Sequence, residues 1–250
     1  MKKFLKIAAL IIVIVPLLFL GYLTYSNQKN LARPTALALS ALESTDAVSI
    51  EEDGNFLIMR PTRLTPTTGV IVYPGANCDV RGYAPVTRAM AEAGYLVISV
   101  TMPFDFAIFS PDRADDVRAA FPEIEKWVIV GHSMGGAMAA QYAFGHQDDL
   151  AGLILWDSYP PEYSDLSDTS LPVVSIHRAT LEGKGPEKFQ AQEYLFPPET
   201  MWVPVPGGNH MQFGSFDGGG YVETMEAKIS PDAQHQIILA ATLEGLSRMQ

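Results

Sequence analysis

Gly131-His132-Ser133-Met134-Gly135 sets a serine hydroxyl between glycines, an arrangement suited to covalent catalysis. An apolar run, WVIV, precedes it, and a run of small residues, MGGAMAA, follows. A strand that bends sharply into a helix strains the residue at the bend, and side chains on the flanking positions would collide there. Glycines at both ends suit such a bend. It would lift the Ser133 hydroxyl to the carboxyl end of a central strand, where open α/β sheets hold their ligands. The helix starting behind it would offer N–H groups and the positive end of its dipole to a developing oxyanion.

A hydroxyl nucleophile needs a base. His210 lies in the turn GGNH just past the strand-like run MWVPVP, and it follows the serine in chain order. The other histidines are placed less well. His132 sits inside the bend with its side chain directed away from Ser133, His146 and His235 fall on helical segments, and His177 ends a strand. A second oxyanion N–H is expected from the loop after GVIVY, where the Ala76 amide is the candidate partner of the Met134 amide. Cys78, in the same loop, has no positional claim equal to that of Ser133 and reads as a bystander.

These residues must be carried by a sheet. AVSIEED and NFLIMR, separated by Gly54, predict a β-hairpin. GVIVYPG, YLVISV, WVIVGHS, LAGLILWD, LPVVSIH and TMWVPVP predict six more strands. YAPVTRAMAEAG, ADDVRAAFPE, MGGAMAAQYAFGH, PEKFQAQEYLF and PDAQHQIILAATLEGLSRM predict helices between or after them. Strand–helix alternation of this kind indicates a mostly parallel sheet with helices on both faces, an α/β fold. The stretch between LILWD and PVVSIH is too short for a helical cap, so an open site is expected.

Composition narrows the classes. The chain has 250 residues, 48% of them apolar, which is ample for one core and argues against disorder. With 17 Lys+Arg against 28 Asp+Glu, the net charge of −11 excludes a nucleic-acid partner, since phosphate binding needs a basic surface. One cysteine forbids an internal disulfide, and no set of metal ligands stands at helical or C-x-x-C spacing. No metal and no cofactor are expected.

The N-terminus differs from the rest. Lys2, Lys3 and Lys6 precede the uncharged run Ile7–Leu23, the pattern of an export signal. TYSNQKN, which follows, offers no small-x-small cleavage site, so residues 1–25 read as an uncleaved transmembrane signal anchor, with a cleaved signal and a secreted protein as the alternative. The basic stub places the N-terminus in the cytoplasm and the catalytic domain outside it. Residues 26–46 read as a tether and 47–250 as the domain. Membrane contact is expected through the N-terminal helix only.

From Gly69 to the C-terminus the chain resembles the α/β-hydrolase superfamily, most of all its small cap-less branch related to dienelactone hydrolases and bacterial carboxylesterases. VIVYPGAN, YAPVTRAMAEAGYLVISVTMPF, WVIVGHSMGGAMAA, LAGLILWDSYP, LPVVSIH and VPGGNHMQFG carry the resemblance. It implies a Ser133 nucleophile, a His210 base and oxyanion amides at Ala76 and Met134. Dienelactone hydrolases proper use cysteine, so Ser133 points to ordinary ester chemistry. The family's acid usually follows the strand PVVSIH in a Gly-x-x-Asp-Gly type loop. Here that loop, HRATLEGKGP, holds no aspartate, and Glu182 is the nearest equivalent. Asp157, ending LILWD, occupies the post-strand position that some members use instead, and both acids are carried forward.

The expectation is a serine hydrolase that cleaves small-molecule carboxylic esters through an acyl-enzyme. An acyltransferase or thioesterase on the same machinery, and a non-catalytic binding protein of the same fold, are the alternatives. Phe104, Phe106, Phe109, Tyr159 and Phe213 are the aromatic candidates for core or pocket. If they line the pocket, short acyl or compact ring esters would fit.

Overall fold

Five apolar runs, of which VIVY, VISV and GLILW are typical, become interior strands of one sheet because both faces of each are covered. The computed structural model describes residues 2–249, with side chains from Leu10 onward. The chain opens with α1 (Lys2–Asn30), β1 (Arg33–Pro34), α2 (Ala36–Ser40), β2 (Val48–Asp53), β3 (Phe56–Pro61) and β4 (Thr68–Tyr73). It continues with α3 (Ala84–Glu92), β5 (Leu96–Val100), α4 (Arg113–Ala120), β6 (Lys126–His132), α5 (Met134–Gly145) and β7 (Gly152–Trp156). It ends with β8 (Val173–Ala179), α6 (Glu187–Gln190), β9 (Met201–Pro206), β10 (Phe216–Asp217) and α7 (Pro231–Arg248).

Eight strands form the main sheet in the order β2-β3-β5-β4-β6-β7-β8-β9. The β2–β3 hairpin and the β3–β5 pair are antiparallel, and every later pairing is parallel. Alternate residues of each strand enter opposite cores. Val70, Val72, Val128 and Val130 pack under α3 and α7, whereas Ile71, Tyr73, Ile129 and Leu155 pack under α4 and α5. This is the α/β-hydrolase architecture expected from the sequence, a mostly parallel sheet covered on both faces and preceded by an apolar N-terminal helix.

Two local expectations change. PEKFQAQEYLF, expected as one helix, is a single helical turn followed by a 3-10 turn at Glu193–Leu195. The break lets Phe189 and Leu195 both reach the interior. Residues 26–46, expected as a tether, pack on the domain. Ala32 and Ala38 are buried, and the Ala32 N–H and C=O bond Asn77 and Asp79. β1 pairs with β10, and Thr35 bonds Ser215 through both backbone and hydroxyl. Burial of small apolar residues between backbone bonds makes this segment part of the fold.

Candidate active site

The junction of β6 and α5 is built from backbone that only glycine permits. A Cβ on Gly131 would lie 2.5 Å from the Gly135 carbonyl oxygen, and one on Gly135 would lie 2.3 Å from the Pro74 carbonyl oxygen. One on Gly136 would lie 2.4 Å from Ser158 Cβ. The turn is therefore too tight for side chains around Ser133, which itself adopts φ +53° and ψ −124°. A non-glycine residue there is strained by roughly 1–3 kcal/mol, held by its surroundings. Here those surroundings are the Ser133 N–H bond to the Trp156 carbonyl and the Ser158 hydroxyl donating to the Ser133 carbonyl at 2.6 Å.

Ser133 Oγ stands 2.9 Å from His210 Nε2, and His210 Nδ1 stands 2.5 Å from Asp157 Oδ2. The turn carrying His210 is fixed from two sides. Gln234 of α7 accepts the Asn209 N–H and donates to the Asn209 carbonyl, and the Glu223 carboxylate accepts the Met211 N–H at 2.6 Å. Asp157 follows β7 directly and, like Ser133, has a positive φ, +47°. Its side chain is fully buried. Burial pushes the carboxyl pKa up, but the hydrogen bond and charge of His210 and the Arg178 guanidinium outweigh it, so the group stays below its ordinary value.

Glu182 is not brought to His210. β8 ends at Ala179, and the chain turns back at once through Thr180–Lys184, with Gly183 at φ +85°. That turn leaves Glu182 exposed, with its carboxylate hydrogen-bonded to Thr180 and to its own backbone.

Arg178 was not anticipated from the sequence. Its backbone N–H donates to Asp157 Oδ1 at 3.0 Å, its Nη1 bonds Asp157 Oδ2, and the same Nη1 lies 3.0 Å from His210 Nδ1. The Asp157 carboxylate thus accepts from a guanidinium as well as from the imidazole. No sequence pattern marks this arginine; its place follows from its partners in space.

His132 proves to be a support. Its tautomer follows from its partners: Tyr83 Oη accepts the Gly75 N–H and donates to His132 Nδ1, so His132 Nε2–H donates to the His210 carbonyl. Complete burial holds its pKa far below the usual histidine value, and the nearby His210 adds to this, so the ring is neutral. Phe213 stacks with the ring at 5.6 Å, in the core. His146, His177 and His235 lie elsewhere, His146 against Tyr142, His177 between Phe189 and Trp202, and His235 on α7.

A Cβ on Gly75 would meet His132 Nδ1 at 2.8 Å, so the Pro74–Cys78 loop also depends on glycine. The Asn77 and Cys78 N–H groups bond Asp105 and Gly75 within the protein. Among the described residues, the Ala76 and Met134 N–H groups donate to no protein acceptor. Met134, the first residue of α5, lines the cavity above Ser133. Cys78 is buried, and burial pushes its thiol up to about 12, where it is no nucleophile. Among the described residues no group of His, Cys, Asp or Glu is arranged to hold a metal ion.

The cavity measures about 700 Å³, in the range of small-molecule sites. Ser133, His210, Asp157 and Arg178 form one wall, and Ile108, Met138, Tyr159, Phe189 and Tyr221 contribute much of the remainder. Of the aromatic candidates only Tyr159 lines it. Phe104, Phe106 and Phe109 form a ring cluster outside, with Phe104 and Phe109 exposed. Tyr221, 4.4 Å from the His210 ring, belongs to the glycine-rich loop FGSFDGGGYVET, which the sequence marks as a rim without a periodicity that would single out this residue.

The comparisons agree with this architecture. No curated protein matches the sequence. Among solved structures, a ferulic acid esterase from Streptomyces cinnamoneus is similar at TM-score 0.56 and 18% identity, over 76% of this chain and 68% of that one. A soluble variant of the monoglyceride lipase from Saccharomyces cerevisiae is similar at TM-score 0.55 and 11% identity, over 84% and 97%. A bacterial membrane phospholipase A is similar at TM-score 0.53 and 13% identity, over 98% and 99%. At these identities the likeness shows the fold. The sequence profile of the alpha/beta hydrolase family matches residues 69–236, and with that match over more than half its length the chain belongs to the alpha/beta hydrolase family.

Proposed function

We propose that the chain is a serine hydrolase of carboxylic esters, with Ser133 as nucleophile, His210 as general base and Asp157 as the acid. The observation that carries this reading is the line Ser133 Oγ, His210, Asp157, with contacts of 2.9 and 2.5 Å, opening on an apolar cavity. Ser133 Oγ attacks the acyl carbon while its proton passes to His210 Nε2. The carbonyl electrons move onto oxygen, and the Ala76 and Met134 amides, with the α5 dipole, stabilise that oxyanion. The oxyanion collapses, the alcohol leaves with the proton from His210, and an acyl-serine remains. Water, deprotonated by His210, then releases the carboxylic acid.

Asp157 holds the Nδ1–H tautomer and offsets the charge of the imidazolium. Arg178 keeps that carboxylate ionised and its two oxygens aligned. The neighbours described as a ferulic acid esterase, a monoglyceride lipase and a phospholipase A support ester substrates. The apolar helix from Leu10 to Asn30, nearly all of it exposed, supports a membrane anchor, and the basic residues before it support a domain outside the cytoplasm. A panel of p-nitrophenyl esters of graded chain length tests the reading. The wild type should turn over at least one of them with kinetics that saturate, and a folded protein that hydrolyses none would refute it.

A further inference from the structure

The last turn of α1 holds both loops that frame the cavity. Asn27 Nδ2 donates to Asp105 Oδ2 at 2.7 Å, fixing the loop that continues to Ile108 in the cavity wall. The Asn30 carbonyl accepts the Gly220 N–H at 2.9 Å, fixing the loop that continues to Tyr221 and Thr224 in the same wall. A Cβ on Gly220 would meet the Asn30 side chain at 2.7 Å, so that contact is close.

The level of these clamps follows from helix geometry. The apolar run of α1 ends at Leu23, and Asn27 lies four residues on, about 6 Å along the axis. The headgroup layer on each side of a bilayer is about 5–7 Å deep. Tyr22 and Tyr25, 65% and 66% exposed, stand where interfacial tyrosines stand. A helix spanning a membrane would therefore hold the two loops at headgroup depth. Both loops show apolar side chains to the outside there: Phe104, Ile108 and Phe109 on one, Tyr221 and Val222 on the other, with Val222 80% exposed. The acidic surface gives no attraction to anionic lipid, so contact must come from these side chains.

We propose that this apolar rim dips into the outer leaflet and that the substrate is a long-chain acyl ester drawn directly from the bilayer into the Ser133 cavity. The acyl chain would pass between Ile108 and Tyr221 without crossing water. The substrate half of this proposal rests on the ester-hydrolase reading, and the rim contact does not. It also departs from the short or compact esters expected if the aromatic residues lined the pocket, because Phe213 lies in the core and Phe104 and Phe109 face outward.

The test uses the full chain in phosphatidylcholine vesicles. Phe109→Trp adds one indole at the rim, and brominated phosphatidylcholine should quench most of the fluorescence that this variant gains over the parent. Unquenched added fluorescence would overturn the proposal. In parallel, the double change Phe109→Ser and Val222→Ser should slow hydrolysis of a vesicle-embedded long-chain monoacylglycerol about tenfold or more while p-nitrophenyl acetate turnover stays within about twofold. Equal loss on both esters, or no loss on either, would overturn it. Quenching without turnover of either ester would refute the hydrolase reading and the substrate assignment with it, and leave the rim contact standing.

Discussion

Ser133 and Asp157 end neighbouring parallel strands in the same unusual half of backbone space, at φ +53° and +47°. Each N–H continues the ladder one step beyond its strand, Ser133 to the Trp156 carbonyl and Asp157 to the Ile176 carbonyl. The two side chains are thereby presented at the carboxyl ends of two central strands, and His210 spans them. Positive φ costs a non-glycine residue free energy and collects at functional sites. Relief of that strain at Ser133 gives the first prediction. Ser133→Ala should abolish turnover, leaving a residue of about 10³-fold over water from the oxyanion amides. Ser133→Gly should be equally inactive but more stable than Ser133→Ala by about 1 kcal/mol, read by chemical denaturation.

The two acids make a clean contrast. Asp157→Asn removes the charge facing His210 Nδ1 and should lower kcat by roughly 10³–10⁴-fold. Glu182→Gln alters an exposed loop and should change kcat by less than about twofold, as surface substitutions usually do. Steady-state kinetics on one ester decide between them, and the reverse order would reassign the acid.

Arg178 is the buried cation of the site, with its side chain 10% exposed. Removing one partner of a buried pair strands the other charge, at a cost of about 3–5 kcal/mol. His210 still faces Asp157, so Arg178→Met should fall at the low end, about 3 kcal/mol, or roughly 6–12 °C in Tm at this size. A change under about 2 °C would mean the guanidinium contributes nothing net.

The segment after α1 gives a fourth test. Deleting residues 1–22 leaves Asn27, Asn30 and Ala32 in place and should leave domain stability unchanged. Deleting 1–34 removes the Ala32 bonds to Asn77 and Asp79 and the β1–β10 pair. At about 1 kcal/mol per bond it should lower Tm by roughly 5–10 °C. Equal melting of the two fragments would return residues 26–34 to the role of a tether.

Acid should destabilise the fold before it reaches the carboxylates. His132, His177 and His235 are all held below the ordinary histidine value, burial being the main cause in each. Their unfolded forms take up protons near pH 6.5 while the folded forms do not. The stability they contribute is therefore complete above about pH 6.5 and is lost as pH falls from there toward their folded values. Calorimetry at pH 7.5 and 5.5 should show a lower Tm at the acid value. A Tm that rises with acid would reverse the sign.

What the sequence could reveal tracks how local each signal is. The bend at Ser133 is a contiguous pattern of strand, glycines and helix, and the strands of the sheet are contiguous apolar runs. His210 was found by order along the chain. That Asp157 and not Glu182 faces His210 depends on the turn at Thr180–Lys184, whose direction no side-chain pattern encodes. Arg178 and His132 act through partners up to 78 residues away, Asp157 and His210 for the first, Tyr83 and the His210 carbonyl for the second. The two-residue β1–β10 pairing is too short for any periodicity, so its segment looked like a linker.

In the proposed mechanism Ser133 is the nucleophile and His210 activates it. Reaction of the full-length protein with a fluorophosphonate, followed by peptide mass spectrometry, tests it most directly. A single adduct is expected on the peptide containing Ser133, absent in Ser133→Ala and formed about 10³-fold or more slowly in His210→Ala. A folded wild-type protein that stays unlabelled, or an adduct on another residue, would rule out Ser133 as the nucleophile.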